Sequence, residues 1–496
     1  MTGRQRNRLG ILIGGITLFA LVSAGCFFGI QFFTKTGIFR IPGVVYYDES
    51  LKDDEVALLE DIFTDEVSLD KDVHISASEY LEKPELKQGD YLYRVYVPVA
   101  GFYSSVDGIN ISEPSFLFAD PYASDVSYDA IDANELNFDK KLLSINDKYY
   151  LDDFDSGAVF RVVSFDSEKF EEEIEPLVQS NFTVDYPTKS SVLSFAQTGV
   201  TALSRGMNAK LNQFGDASYF AANIGDYLSN FDLTHTSNES SFSAYASSNN
   251  ICSDSRFIGT LSSIGLDIVE LTGNHNQDCG DEAALETIDL YNQNNIKIVG
   301  GGKTAELAAE PLLIDEKGSG ITFLAYNLST GGATYDDTPG ANQYYEDNFV
   351  AEVAEAKKRG DFVVVDIQYY ECSAYVSESE DTTCDYADSA AGDQVGFFRH
   401  LIDLGADMVV GTSAHQPQTF ELYGDGAIYY GLGNLFFDQC WWPGTTRSLI
   451  LAHYFYNGRL LQTKLVPTQY DLNFQTALMN KEDAEWFVKR LISARP

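Results

Sequence analysis

Short apolar runs alternate with amphipathic segments in the second half of the chain, from Val192 onward. Runs such as VLSFAQTG and DFVVVDIQYYE predict strands that are buried on both faces. Segments such as DEAALETIDLYNQN repeat apolar residues every three or four positions, which predicts amphipathic helices. Strands buried on both faces need helices outside their sheet, so the pattern predicts an α/β domain built as a layered sandwich.

The N-terminus predicts a membrane anchor. A basic tail, residues 1–8, precedes Leu9–Ile30, which contains no charged residue. Twenty-two helical residues extend about 33 Å, enough to cross a bilayer core. The arginines before the segment favour a cytoplasmic N-terminus, a single-pass anchor over residues 9–33 and an extracytoplasmic location for the rest. A cleaved signal peptide and a lipoprotein site at Ser23–Cys26 are the two alternatives.

Residues 42–185 are predicted to form a separate extracytoplasmic domain of unknown role. Apolar strands such as YLYRVYVPVAGFY alternate there with acidic helical segments such as DEVALLEDIF, which is typical of an α/β or α+β fold. The region contains one histidine, His74, and no glycine-rich loop. Asp185–Ser191 is the predicted boundary, and residues 470–496 are predicted to be a C-terminal helical tail.

The net charge of −41 excludes nucleic acid as a partner, because a strongly acidic surface repels polyanions. Residues 1–40 contain five bases and no acids, so the remainder carries 74 acids and 28 bases, a net charge of −46. A polyanionic substrate would therefore need divalent cations or basic residues along its binding groove.

Six cysteines suggest disulfides if the chain lies in an oxidising compartment. Cys26 falls in the predicted anchor. Cys372 with Cys384 and Cys252 with Cys279 are the two candidate pairs, although spacing alone leaves the connectivity open. The absence of a CxxC pair argues against a thiolate zinc site.

Five loops at predicted strand ends contain the candidate catalytic, metal-ligating and binding residues: THTSNE, TGNHNQD, QYYE, TSAHQPQ and GLGN. Their oxygen and nitrogen donors suit Mn, Fe, Zn or Mg. The candidate residues are Asn238, Glu239, Asn274, His275, Asp278, Gln368, Glu371, Ser413, His415, Gln416, Gly433 and Asn434.

Seven segments in a fixed order make residues 192–469 resemble the CapA family, the capsule or poly-γ-glutamate synthesis proteins with a metallophosphatase-like fold. They are TGVTALSR (198–205), SNE (237–239), LTGNHNQDCG (271–280), GGG (300–302), QYYE (368–371), GADMVVGTSAHQPQTFE (405–421) and YYGLGNLFFD (429–438). The resemblance implies an αββα sandwich and a role in the synthesis, export or attachment of a surface polymer.

The chain departs from the two-metal site that this resemblance implies. Gly199-Val200 matches the Gly-Asp pair that normally supplies a bridging carboxylate, while Gln368 and Ser413 stand where histidines are common. The remaining set fits one divalent ion better than two, since two cations without a bridging carboxylate repel each other. That set is Glu239, Asn274, His275, Glu371 and His415.

Two functional hypotheses follow from the resemblance. In the first, the chain is a metal-assisted hydrolase or transferase in which His275 or His415 serves as general acid–base, with Glu239 or Glu371 as its partner. In the second, it is a non-catalytic polymer-binding or assembly subunit beside membrane synthase subunits. A different surface substrate is a third hypothesis. The predicted substrate-binding residues are Arg205, Gln368, Gln416 and Asn434, with a structural ion pair as the alternative for Arg205.

Overall fold

The computed structural model describes residues 43–64, 67, 69–118, 127–179, 186–328, 331–369 and 393–496. The predicted anchor, Glu371 and the predicted pair of Cys372 and Cys384 lie outside the described residues. Within these ranges, no helix is both long and apolar enough to span a membrane. The chain divides into two compact units, and residues 187–496 form most of the second.

The N-terminal unit comprises the described residues up to 98 together with 108–134 and 144–186. Residues 99–107 and 135–143 belong to the C-terminal unit, although they fall within the predicted N-terminal domain. Up to residue 179 the elements are β1 (Val45–Tyr47), α1 (Asp53–Ile62), β2 (Val73–Tyr80), β3 (Asp90–Gly101), β4 (Gly108–Ile109), β5 (Asp129–Asp132), β6 (Lys140–Leu142), β7 (Ser144–Ile145), β8 (Val159–Asp166) and α2 (Glu175–Val178).

The main sheet of the N-terminal unit has the order β1-β2-β8-β3-β5. Strand β2, VHISASEY, alternates buried and exposed residues, so one face of the sheet packs on α1 and α2 while the other side chains point outward. His74 lies on the exposed side with its ring stacked on Tyr46. Arg161 is buried and bonds Glu55, Glu79 and the Ser50 carbonyl oxygen, so this cluster stabilises the fold.

The strands of the C-terminal unit form two large sheets. Strand β6, given above, belongs to this unit because it lies within residues 135–143. The other strands of the unit are β9 (Leu193–Thr201), β10 (Leu233–Asn238), β11 (Ile268–Glu270), β12 (Lys297–Val299), β13 (Gly301–Gly302), β14 (Leu312–Glu316), β15 (Ser319–Asn327), β16 (Gly340–Ala341), β17 (Phe362–Gln368), β18 (Met408–Gly411), β19 (Phe420–Tyr423), β20 (Gly426–Tyr429), β21 (Asn434–Phe436), β22 (Arg447–Tyr456), β23 (Arg459–Tyr470) and β24 (Thr476–Leu478).

The helices of this unit connect the strands or cover the sheets. They are α3 (Gly206–Phe214), α4 (Gly225–Leu228), α5 (Ile258–Ser263), α6 (Asp281–Gln293), α7 (Ala305–Ala308), α8 (Glu346–Arg359), α9 (Gln394–Asp403) and α10 (Lys481–Ser493). The first sheet has the order β12-β11-β10-β9-β22-β23-β24, with β21 also on β9, and the second has the order β14-β15-β17-β18-β20-β19. Strands β9 to β12 run parallel, as do β15, β17, β18 and β20.

The two sheets pack face to face through one apolar core. Phe195 and Leu233 of the first sheet belong to the same buried cluster as Phe323 and Val364 of the second. Leu491 of α10 enters this cluster too, so the predicted C-terminal tail is part of the C-terminal unit. The result is a mixed α/β fold, as the apolar strand pattern predicts.

Helices α8 and α9 cover the outer face of the second sheet. Phe349 and Val353 of α8 and Phe398 of α9 pack on Val365, which points away from the other sheet. Strand β17, FVVVDIQ, is therefore buried on both faces, and this explains its continuous apolar run.

Both sheets direct the carboxyl ends of their parallel strands to the same edge of the unit. The Gln368 amide at the end of β17 donates to Asn274 Oδ1 beyond β11 at 3.1 Å. Asn327 at the end of β15 donates to the Thr272 carbonyl oxygen at 2.6 Å. This shared edge is where sites form in open α/β sheets.

Candidate functional site

Glu239 lies at the centre of the shared edge, immediately after β10. Its side chain is fully buried, and its backbone N–H donates to the Thr201 carbonyl oxygen at 3.0 Å. Gly273 allows the neighbouring loop to approach, because a Cβ at that position would lie 2.6 Å from Glu239 Cα. The glycine of TGNHN therefore brings Asn274 next to Glu239.

An amide bridge joins the two sheets at this point. Gln368 Nε2 lies 3.1 Å from Asn274 Oδ1 and 3.5 Å from Glu239 Oε1. Because both neighbours are oxygen acceptors, the Gln368 amide group presents its N–H side to them. Glu239, Asn274 and Gln368 therefore form one polar cluster.

His415 approaches Glu239 from the second sheet. Asn434 Nδ2 donates to the Thr445 carbonyl oxygen at 3.0 Å, so Asn434 Oδ1 faces His415 Nδ1 at 2.9 Å and accepts a hydrogen bond from it. This contact fixes the tautomer and leaves His415 Nε2 directed toward Glu239 Oε2 at 3.8 Å. The two side chains are 2% and 0% exposed, so a proton or a cation must compensate for the buried carboxylate.

His275 does not join this cluster. Its Nδ1 lies 2.8 Å from Asp278 Oδ2, in the turn after β11, and its side chain is 28% exposed. Among the residues that the structure describes, no three His, Cys, Asp or Glu side chains converge to hold a metal ion. The Glu239–His415 pair with the Asn274 amide oxygen is a donor set for at most one ion.

Val200 occupies the position where a bridging carboxylate would be expected, and it is fully buried in an apolar cluster with Ala202 and Phe437. Its side chain offers no ligand atom. The described residues therefore do not fit a two-metal site.

Arg205 forms an ion pair within the chain. Its Nε donates to Asp438 Oδ1 at 3.0 Å, while the Gly206 backbone N–H donates to Asp438 Oδ2 at 2.8 Å. The guanidinium also lies 4.4 Å from the Phe437 ring centre. Arg205 therefore forms the ion pair that the structural alternative describes, and its role toward a substrate stays a prediction, as does that of the buried Gln416.

A second polar cluster, which the loop motifs do not reveal, lies deeper between the sheets. Asp366 Oδ2 is 3.2 Å from His235 Nε2, and Asp366 Oδ1 accepts from Gln197 Nε2 at 2.6 Å. Gln197 Oε1 then faces His453 Nε2 at 3.3 Å. The sequence signal is a charged or polar residue within an apolar strand, as Asp366 is in FVVVDIQ.

Glu270 lies in the same layer and is completely buried. Burial raises the pKa of Glu270 to about 8, and the negative charge of Asp366 adds to the increase. Burial lowers the pKa of His453 to about 3, with the nearby His235 contributing. Both groups are therefore neutral at pH 7, which reduces the charge that the sandwich interior must accommodate.

A disulfide between Cys252 and Cys279 links the loops that follow β10 and β11. This was one of the two candidate pairs and is confirmed. The Ser240 and Ser253 hydroxyls, 2.7 Å apart, add a second contact within the first loop. Among the described cysteines Cys440 is the free one.

Comparisons with known proteins identify the family. The family described as bacterial capsule synthesis protein PGA_cap matches residues 194–439, which include the Glu239, Asn274, Gln368, His415 and Asn434 cluster. The chain belongs to the CapA family. It is 22% identical over 280 residues to the capsule biosynthesis protein CapA of Bacillus anthracis, covering 54% of this chain and 65% of that protein.

Two further similarities fall in the same region. The PGA biosynthesis protein CapA of Bacillus subtilis is 27% identical over 205 residues, covering 40% of this chain and 50% of that protein. A probable polyglutamine synthesis accessory protein of Mycobacterium tuberculosis is 26% identical over 250 residues, covering 46% of this chain and 62% of that protein. The chain therefore spans half to two thirds of the length of these CapA-family relatives.

Solved structures resemble the chain only distantly. The NAD nucleotidase of Haemophilus influenzae matches with 10% identity and a TM-score of 0.33, covering 60% of this chain and 55% of that one. GAP50, the anchor in the inner membrane complex of Plasmodium, matches with 12% identity and a TM-score of 0.32, covering 61% of this chain and 95% of that one.

Proposed function

We propose that this CapA-family chain acts outside the cytoplasm, anchored by residues 9–33, in the synthesis, export or attachment of a capsule or poly-γ-glutamate polymer. The supporting observation is the buried convergence of Glu239, Asn274 and His415 at the shared carboxyl edge of two sheets. A buried carboxylate beside an imidazole that Asn434 orients is the kind of placed polar group that binding sites contain, so we assign it to the polymer.

The geometry favours binding of the polymer, in a metallophosphatase-like sandwich that lacks the ligands for two ions. Glu239 offers an acceptor and His415 an imidazole ring nitrogen, while the Gln368 and Asn274 amides offer neutral hydrogen bonds. Such a set suits a polymer that carries hydroxyl, amide and carboxyl groups. Membrane synthase subunits are the proposed partners.

The orientation of His415 supports metal-assisted hydrolysis or transfer as a second candidate function. A histidine whose Nδ1 is held by an amide oxygen and whose Nε2 faces a carboxylate is arranged as metal-ligating histidines are. Mn, Zn, Fe or Mg held by Glu239, His415 and Asn274 would supply a Lewis acid for an amide or ester carbonyl. Asn434 would then fix the imidazole tautomer, and Gln368 would orient Asn274 and Glu239.

The extracytoplasmic location draws support from the Cys252–Cys279 disulfide. Disulfides persist in oxidising compartments, and this one joins two loops of the site. The apolar segment Leu9–Ile30 supplies the means of anchoring.

The test is complementation of a deletion strain of the native host. Cell-surface polymer is measured chemically, as glutamate and as sugar, after expression of the wild type or of Glu239→Gln or His415→Gln. We expect the wild type to restore the polymer and each variant to reduce it at least about tenfold, because each removes one member of the buried pair.

His400→Gln is the matched control, since His400 lies on α9 and pairs with Glu346 at the exposed surface. It should restore polymer like the wild type. Equal complementation by the Glu239 and His415 variants at equal protein levels would exclude this site from the function.

A further inference from the structure

Four aromatic side chains of the described residues are more than half exposed, and all four lie on loops that follow strand carboxyl ends. They are Tyr245 (82% exposed), Tyr335 (65%), Tyr345 (58%) and Trp441 (60%). Tyr245 follows β10, Tyr335 follows β15, Tyr345 follows the short strand β16, and Trp441 follows β21. With Trp442, which is 42% exposed, we call these five residues the aromatic rim.

The loop that carries the two tryptophans is fixed to the site. Thr445 Oγ1 donates to the Trp442 carbonyl oxygen at 2.8 Å, and the Thr445 carbonyl oxygen accepts from Asn434 Nδ2 at 3.0 Å. Asn434 in turn orients His415. The exposed tryptophans are therefore held on a backbone that is hydrogen-bonded to the site.

The tyrosine loops are held in a similar way. Asn250 Nδ2 donates to the Tyr245 carbonyl oxygen at 2.9 Å, and the Cys252–Cys279 disulfide closes the same loop. The Tyr335 backbone N–H donates to Thr338 Oγ1 at 2.9 Å, and Pro339 accepts from Gln277 of the TGNHNQD loop. Tyr245 and Tyr335 thus lie on loops with their own internal contacts and a link to the loop of Asn274.

Charge on the rim argues against a polyanion as its ligand. Exposed acids follow the tyrosines directly, Asp336 and Asp337 after Tyr335 and Glu346 and Asp347 after Tyr345. Arg205, the cation beside Trp441, is already paired with Asp438. A poly-γ-glutamate chain crossing the rim would meet like charges, whereas a neutral chain would not.

We propose that the aromatic rim binds a neutral, hydroxyl-rich glycan chain and leads it to the Glu239–His415 site. Sugar rings present apolar C–H faces that pack on indole and phenol rings, and their hydroxyls suit the partly exposed amide of Asn274. This inference rests on the proposed function and names the chemical class of the polymer.

Tryptophan fluorescence of the full-length protein in a sugar-free detergent tests the proposal. The chain has three tryptophans, so in Trp486→Phe all tryptophan emission comes from Trp441 and Trp442. The probes are neutral hexasaccharides of glucose, N-acetylglucosamine, galactose and mannose, and poly-γ-glutamate with and without Mg²⁺. We expect a saturable emission change with at least one hexasaccharide.

Affinity measured by calorimetry in rim variants supplies the second readout. The double variant Trp441→Ala/Trp442→Ala should weaken hexasaccharide binding roughly tenfold or more, since it removes two stacking surfaces. Tyr245→Ala should weaken it several-fold, and because the Tyr245 side chain is 82% exposed, its removal should leave the fold intact. Trp486→Phe, on α10, should bind like the wild type.

Three results overturn the glycan proposal: no hexasaccharide changes the emission, the rim variants bind as the wild type does, or poly-γ-glutamate alone changes the emission. In each case the complementation result for Glu239 and His415 still decides the proposed function independently. Conversely, suppose that the rim binds the glycan while the Glu239→Gln variant complements fully. The aromatic rim would then keep its glycan ligand, and the Glu239–His415 site would have no part in the function.

Discussion

The Cys252–Cys279 disulfide gives a prediction whose magnitude follows from the structure. The two residues are 27 apart in sequence, and the bond closes that loop in the unfolded chain as well as in the folded one. The chain-entropy relation for a loop of this length gives about 3.6 kcal/mol at 25 °C. We therefore expect Cys252→Ala/Cys279→Ala to lower the free energy of unfolding of the C-terminal unit by about 3 kcal/mol.

Urea unfolding monitored by tryptophan fluorescence is the appropriate assay. Trp441, Trp442 and Trp486 all belong to the C-terminal unit, so the signal reports on that unit alone. Cys440→Ala is the matched control, because Cys440 is half-buried and free, and it should change stability far less.

When both proteins are measured under reducing conditions, the wild type and the double variant should unfold at the same urea concentration. A loss below about 1 kcal/mol in the double variant would contradict the reasoning. It would mean that contacts between the two loops, such as the one from the Ser241 hydroxyl to the Asn276 carbonyl oxygen, hold them without the bond.

The remaining predictions concern protonation and metal content. Glu270 keeps its proton in the folded state up to about pH 8, whereas the unfolded side chain releases it near pH 4.5, so the wild type should lose stability as pH rises between these values. Glu270→Gln should not lose stability in this way. In urea unfolding with EDTA, the free energy of unfolding of the variant relative to that of the wild type should rise by up to about 1.4 kcal/mol per pH unit in that window. If the stabilities of the two proteins change with pH in parallel, the assignment of the raised pKa to Glu270 is contradicted. If the second candidate function holds, elemental analysis should find about one divalent metal ion per full-length chain, and His415→Ala should lose it while His275→Ala, whose ring pairs with Asp278, retains it. Retention by His415→Ala, or loss by His275→Ala, would contradict the site as described.

The strand pattern predicts the fold of the C-terminal unit because burial on both faces leaves a continuous apolar run, as in β17. The strand pattern does not predict which segments before residue 187 belong to the C-terminal unit. Residues 99–107 and 135–143 join the C-terminal unit through contacts distant in sequence, such as Phe102 against Phe420 at 5.7 Å. Nothing local in these segments indicates such a contact.

The loop motifs predict part of the site for a physical reason. Residues that directly follow parallel strands must meet at one edge, and Glu239, Asn274, Gln368, His415 and Asn434 do so. His275 follows the same strand as Asn274, but the turn directs its ring to Asp278, and sequence spacing does not determine such a rotation. The deep layer of His235, Glu270 and Asp366 depends on alternation within strands rather than on loops. The position of Glu371 stays a prediction.

The order of strands in the first sheet has a consequence for how the protein is made. Strand β9, at Leu193–Thr201, lies between β10 and β22, and β22 begins only at Arg447. A ribosome delivers Glu239 and Asn274 long before His415 and Asn434, so the early strands wait with one edge of β9 unpaired. Pairings between strands so far apart in sequence form slowly. Glu239 and Asn274 therefore meet His415 and Asn434 only after most of the C-terminal unit has emerged.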